Sequence, residues 1–509
     1  MTLPDLYRPL LLAGGLHASA ARTPAKPALH CAGRTLSYGE LGERVRRVTD
    51  AAILDLHIRP GERVAVVAPN CLEYPELVAG LSDAGAIVAT LNPRSTATEI
   101  TAACDDCGVR VLFAHAGNAA VAGAAKSRTV ERTIVIGEDY DAWRDTPRGA
   151  AERPRLAETD PFTLVYSSGT TGKPKGIVIS HRSRVLTFHA MAMEYGCYGP
   201  QDFFLALTPM AHGAGLSFTM AALYVGAEVE LLPKFDAAQV LERLGAAPFT
   251  GVFLVPTHFQ AIFALPAEIL ERHRGTAAHL KAIISNAAAL PQALKQQIIA
   301  YFGPGLLHET YGSTEAGIVT NIRPSDQLRT RQSVGRPFAS TLVRLLDENG
   351  REVPEGEVGE LFSTSPFLFN GYWNNPQETR DCIRDGYWIS AGDLARRDAE
   401  GFYYIVDRKK DMVISGGLNI FPREIEEVLH RHPAVLEAAV VGVPDPHWGE
   451  SLRAYVVLRD AGDVSADALI EHCRQTLSGY KLPRELHFIK ELPRNLGGKI
   501  LKKELRALG

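Results

Sequence analysis

Between Tyr166 and Gly176 the sequence reads YSSGTTGKPKG, with four hydroxyl side chains from Ser and Thr, three glycines and two lysines in one short segment. Glycines let a backbone come close to a polyphosphate, while N–H groups and hydroxyls wrap its oxygens. Lysines supply the counter-charge. Ser167, Ser168, Gly169, Thr170, Thr171, Gly172, Lys173 and Lys175 are therefore candidate phosphate contacts. A Walker loop needs Gly-x-x-x-x-Gly-Lys followed by a metal-binding Ser or Thr. Here Pro174 follows Lys173 and the glycine spacing differs, which argues against a P-loop kinase or GTPase.

Five more stretches follow in order: Tyr311–Glu315 (YGSTE), Tyr387–Asp393 (YWISAGD), Asp407–Lys410 (DRKK), Ser415–Ile420 (SGGLNI) and Pro493–Ile500 (PRNLGGKI). Together with the hydroxyl-rich loop they resemble the adenylate-forming superfamily of acyl-CoA synthetases, peptide-synthetase adenylation domains and beetle luciferases. The resemblance covers nearly the whole chain. It implies ATP- and magnesium-dependent activation of a carboxylic acid as its acyl-adenylate. Transfer to a thiol would follow, either coenzyme A or a carrier-protein phosphopantetheine. The absence of a fused carrier or condensation domain favours free coenzyme A.

The resemblance also implies roles for individual residues. Tyr311, beside Gly312, is the aromatic wall for adenine, with Ala287 and Ala288 in the same pocket. Thr314 contacts the α-phosphate, and Glu315, with Thr170, holds magnesium through hard oxygen donors. Asp393 accepts hydrogen bonds from the ribose hydroxyls, since a carboxylate accepts two at once. Arg408 reaches the ribose or phosphate. Lys499, in a glycine-flanked loop, stabilises charge as carboxylate and α-phosphate meet. Gly416 and Gly417 line a tunnel for the pantetheine thiol, and Lys410 is the hinge between two domain orientations. Acetylation of Lys499 would remove its charge and block adenylation, so a lysine acetyltransferase is an expected partner.

His212, Gly213, Gly215, Asn286 and Ala287 are the expected acid pocket, with His212 gating it or meeting the substrate carboxylate. No Asp or Glu occurs from Phe203 to Ala227, so an amino acid's ammonium would lack a partner there. Asn286 stands where relatives often carry a glycine, and Ala287 and Ala288 are small. These features favour an aliphatic or aryl acid with an uncharged tail. A non-catalytic nucleotide-binding protein on the same fold is the reading from a different class, and the filled positions Glu315, Asp393 and Lys499 oppose it.

The elements that must position these residues read as α/β. Apolar runs at 63–68, 86–91 and 109–114 alternate with helical patterns at 71–81 and 96–105, as in parallel α/β units. The pattern resumes at 229–232, 251–255 and 281–285. A small β subdomain is expected at about 334–400, inside a large N-terminal domain of residues 1–407. Residues 408–410 form the expected hinge and 411–509 a mobile α+β domain, with a helix over Pro422–His430 and another capped by Ser465.

Bulk properties fit this picture. The chain of 509 residues exceeds one compact core, and 46% hydrophobic with 22% charged residues is an ordinary globular mix. A net charge of −4 opposes nucleic-acid binding by counterion release. Seven scattered cysteines suit a reducing cytoplasm, and Cys104-x-x-Cys107 lacks the second pair a zinc site needs. The N-terminus does not read as a signal peptide, and no apolar run reaches membrane-spanning length. Lys502 and Lys503 read as a solvated helix face. Homodimerisation remains open.

Overall fold

The computed structural model describes residues 7–167, 175–459, 464–494 and 500–508. The chain divides into two compact units, Met1–Val343 with Ser363–Ile389, and Arg344–Phe362 with Ser390–Gly509.

Two large sheets organise the first unit. One has seven strands, five of them parallel and reaching one edge: Pro161–Ser167, Ile87–Leu91, Arg63–Val67, Val111–His115 and Arg132–Ile136, in that spatial order. Val64 to Val67 are all buried, as expected of a parallel strand covered on both faces. Between the strands, the helix Ala97–Cys107 starts at a capping box in which Thr96 and Glu99 satisfy each other's N–H groups. Left-handed Gly108 (φ 67°) ends it. Cys104 and Cys107 lie buried on its last turns as free thiols.

The second sheet has nine strands. Its parallel run is Pro27–Cys31, Glu228–Leu231, Phe203–Ala206, Gly251–Phe253, Ala282–Ser285 and Leu307–Ser313. An antiparallel hairpin, Leu307–Ser313 with Gly317–Ile322, turns the chain back at its edge. Gly312 is required there, because a Cβ would lie 2.1 Å from the Gly317 carbonyl oxygen.

The second unit contains a five-stranded sheet of Val413–Ser415, Leu418–Ile420, Val435–Asp445, Gly449–Leu458 and Glu485–Phe488. The expected helix spans Pro422–His430, and Ser465 accepts the Ala468 N–H at 3.2 Å as the cap of Ala466–Arg474. Compactness groups 344–362 and 390–407 with the C-terminal residues, whereas the sequence reading groups them with the N-terminal ones. The reason is local. Asp407 accepts the Arg423 N–H at 3.0 Å, tying the strand Tyr403–Arg408 to the first turn of the helix Pro422–His430.

Lys502 departs from its expected solvated state. It is mostly covered and pairs with Glu426 at 2.8 Å, because the helix Lys502–Ala507 packs on the strand Val435–Asp445 rather than standing free. No described helix is long and apolar enough to cross a membrane.

Candidate functional site

In the first unit the candidate residues gather beyond the carboxyl ends of the parallel strands, where open α/β sheets place their ligands. The strand Ala282–Ser285 runs into Asn286, and the neighbouring strand Leu307–Ser313 carries Thr310 and Tyr311. Thr314 and Glu315 form the tip of its hairpin. Next to the tip, the helix Gly213–Val225 begins, and a Cβ on Gly213 would lie 3.3 Å from the Thr314 hydroxyl. Gly215 lies too close for any side chain, since its Cβ would meet the Pro209 carbonyl at 2.1 Å.

Glu315 is held from one side. Its Oε1 accepts the Tyr372 hydroxyl at 2.8 Å, and its backbone carbonyl accepts the Phe369 N–H at 2.9 Å. Lys175 lies over the Tyr372 ring, 5.5 Å from its centroid, and pairs with Glu378. Burial, first, lowers the Lys175 pKa, and Glu315 pulls it back up. Glu315, Tyr372 and Lys175 thus form one chain of contacts beside the hairpin tip. Among the described residues no cluster of three or more His, Cys, Asp or Glu is assembled. A hard cation such as magnesium suits Glu315 if substrate phosphates complete its shell, the usual arrangement for this ion.

The Asn286 loop is set by two devices. Asn286 Nδ2 donates to the Thr310 hydroxyl at 2.9 Å, while its Oδ1 accepts the Ala287 N–H. Ala287 has φ 77°, the left-handed region that costs a residue with a Cβ on the order of 1–2 kcal/mol. Below the loop, buried Glu309 accepts the Leu290 N–H at 3.0 Å and pairs with fully buried Lys295. This pair fixes the far end of the loop at Leu290.

His212 sits at the start of the helix Gly213–Val225, within 3.3 Å of Asn92 Nδ2. Desolvation, with a smaller push from Arg94, holds its pKa below the ordinary histidine value. It is therefore neutral at pH 7. With Nε2 accepting from Asn92, its proton lies on Nδ1.

In the second unit, Asp393 is 4% exposed and pairs with Arg408 at 2.9 Å, directly across the strand pair Trp388–Arg397 and Tyr403–Arg408. The two residues expected at the ribose thus brace one another. Gly416 (φ 57°) and Gly417 (φ 80°) make the turn between Val413–Ser415 and Leu418–Ile420. A Cβ on Gly416 would strike the Trp448 ring at 2.7 Å, and the Gly416 N–H donates to the Trp448 carbonyl at 2.8 Å. Lys410 is an exposed turn residue.

Ser168, Gly169, Thr170, Thr171, Gly172, Lys173 and Lys499 lie outside the described residues, and Ser167 is described only by its backbone at the end of Pro161–Ser167. Ahead of that loop, the Tyr166 hydroxyl donates to Asp106 at 2.7 Å and anchors the strand end. Tyr372, Glu378, Asn92 and Thr310 escaped the sequence reading. Each meets its partner across a long separation, and none stands in a pattern of its own.

Comparison with known proteins matches this arrangement. A model of the AMP-binding enzyme family fits residues 16–373, and one of the AMP-binding enzyme C-terminal domain fits residues 424–499. A feruloyl-CoA synthase from an Amycolatopsis species is 35% identical over 96% of both chains. A sulfoacetate–CoA ligase from Cupriavidus necator is 34% identical, covering 99% of this chain and 98% of that one. The crystal structure of ATP-bound MatB from Rhodopseudomonas palustris superposes with a TM-score of 0.89 at 27% identity, over 97% of this chain and 98% of that one.

Proposed function

This chain belongs to the AMP-binding enzyme family, and from that premise we propose that it is an ATP-dependent carboxylic acid–CoA ligase. In the first step the acid's carboxylate attacks the α-phosphorus of ATP, forming acyl-AMP and releasing pyrophosphate. In the second, the thiol of coenzyme A attacks the acyl carbon, forming the thioester and releasing AMP. The observation that carries this reading is the hairpin tip. Thr314, Glu315, Tyr372 and Lys175 place a hydroxyl, a carboxylate and a cation beside the start of the helix that carries His212.

The residues divide the work. Tyr311 with Gly312, Ala287 and Ala288 holds adenine, while Asn286 and Ala287 line the acid pocket with His212, Gly213 and Gly215. The Ser167–Lys175 segment wraps the phosphates, with Thr314 at the α-phosphate. Glu315 and Thr170 hold magnesium, which supplies charge neutralisation at the phosphates when bound. Neutral His212 donates from Nδ1 to the acid's carboxylate and adds no positive charge to the pocket. Lys499 offsets the repulsion between the two anionic reactants, a contribution on the order of 3–4 kcal/mol for one well-placed donor.

Asp393 and Arg408 exchange their mutual pairing for the ribose hydroxyls. Lys410 is the pivot between the two half-reactions, within a hinge of residues 408–410 that joins domains 1–407 and 411–509. Gly416 and Gly417 admit the thiol, since neither carries a side chain to block it. Acetylation of Lys499 would silence the first step.

The relatives' names leave the acid's tail open, since one acts on an aryl acid and another on a sulfonated one. The test is pyrophosphate release from purified protein. Release should require both ATP and a carboxylic acid, and adding coenzyme A should yield the thioester and AMP. Release without any acid, or none with a broad acid panel, would overturn the reading. A thioester formed only on a carrier protein would replace coenzyme A as the acceptor.

A further inference from the structure

Arg184 lies in the first turn of the helix His181–Tyr195 and is only 7% exposed. Its Nη1 donates to the Ser217 hydroxyl at 2.5 Å, and its Nε has no partner. Among the described residues no carboxylate pairs with it. A buried cation without an anion is costly and rare in folded proteins. Burial drags its pKa down to about 10, so it is still charged at neutral pH.

Its surroundings favour an anion further. The helix of 15 residues presents its positive end at Arg184, where a cation is disfavoured and an anion welcomed. The 13-residue helix Gly213–Val225 carries Ser217 in its second turn, and no side chain caps its N-terminus. Ser217 donates on to the Gly213 carbonyl at 2.7 Å, and Gly213 faces Thr314. On the other flank, the Ser183 hydroxyl donates to the Phe367 carbonyl at 2.6 Å, two residues before Phe369, which hydrogen-bonds Glu315. The Ser217 hydroxyl that the guanidinium meets thus stands four residues past Gly213, about 6 Å along the helix axis from the residues assigned to the reacting carboxylate.

We propose that Arg184 receives a second anionic group on the acid substrate, so that the preferred acid is short and carries a carboxylate or sulfonate at its far end. This rests on the acid–CoA ligase reading and departs from the uncharged tail expected from the small residues Ala287 and Ala288. The second anion would stay unreacted, paired with Arg184 and Ser217, while the first carboxylate is activated. An uncharged tail of equal length would leave the guanidinium buried and unpaired in the complex.

The experiment is a comparison of kcat/KM for pyrophosphate release between acids of matched length: succinate against butyrate, glutarate against valerate, and sulfoacetate against propionate. The wild-type protein should favour the doubly anionic member by about 100-fold or more, the scale of a buried hydrogen-bonded charge pair. Arg184→Met should collapse that ratio by about 100-fold, and Arg184→Lys should restore part of it. A carboxylate winner and a sulfonate winner both support the assignment and say which head group fits.

Equal or better use of the uncharged acids by the wild type would overturn the assignment while leaving the ligase reading intact. So would a ratio in Arg184→Met equal to that of the wild type. Should Arg184→Met fail to fold, the wild-type ratio and Ser217→Ala, expected to lower it several-fold, decide the question. No pyrophosphate with any acid would overturn both readings together.

Discussion

Lys295 and Arg184 are both buried cations of the first unit, and they are buried differently. Lys295 is fully covered, and Glu309 on the adjacent strand pairs with it while also holding the Leu290 N–H. Arg184 is nearly as covered, yet its described contacts offer one hydroxyl and no anion. The first pair is complete within the chain and fixes a loop. The second group is half of an interaction whose other half must come from outside. A finished ion pair is a structural brace, whereas an unfinished one marks the direction in which a ligand is expected.

The sharpest way to break this contrast is stability. Lys295→Met leaves Glu309 buried without its cation and should cost about 3–5 kcal/mol in urea unfolding. Acidification should then make new cases of the Arg184 kind. His181 and His308 are buried, and desolvation lowers both to about 4. His181 Nδ1 accepts the Leu12 N–H at 3.1 Å, a bond that the neutral ring can make.

Between the folded value near 4 and the unfolded value near 6.5, the unfolded chain binds more protons. Stability should therefore be complete above about pH 6.5 and fall as pH drops toward 4, by roughly 3 kcal/mol for each histidine. Unfolding curves from pH 7 to pH 4 check the sign, and replacing both rings with Gln should make the slope shallower, with the rest carried by groups such as His258, which burial also lowers to about 4.

Arg184→Met, by contrast with Lys295→Met, removes a charge that nothing in the free protein balances. It should leave stability unchanged or raise it by about 1–2 kcal/mol, even as it damages selectivity. A loss as large as that of Lys295→Met would erase the distinction between the two cations. The smallest effect concerns the loop beside Lys295 and Glu309. Ala287→Gly relieves a left-handed alanine and should raise stability by about 0.5–1 kcal/mol, after the added freedom of glycine in the unfolded chain is subtracted. A differential thermal scan would detect it.

Much of the scaffold could be read from sequence because buried parallel strands are continuous apolar runs. Arg63–Val67, Ile87–Leu91 and Ala282–Ser285 all stand where such runs occur. Helix starts were also legible where a cap announces them, at Thr96 and Ser465. Contacts between distant segments were not. Nothing near Tyr372 says that its hydroxyl meets Glu315, and nothing near Lys502 says that Glu426 will cover it, because both depend on tertiary register.

Arg184 did leave a trace. It shares helical spacing with Val185, Phe188 and Met191, all buried, so a cation stood on an apolar face. The identities at Asp393 and Arg408 were visible, but their mutual pairing across two strands was not.

The claim on which all else depends is that the acid's own oxygen attacks the α-phosphorus. Supplying the acid with both carboxylate oxygens labelled as oxygen-18, together with ATP and coenzyme A, tests it directly by mass spectrometry of the AMP. The account predicts that AMP carries one labelled oxygen, left behind when the thiol takes the acyl group. Unlabelled AMP accompanying thioester formation would contradict it.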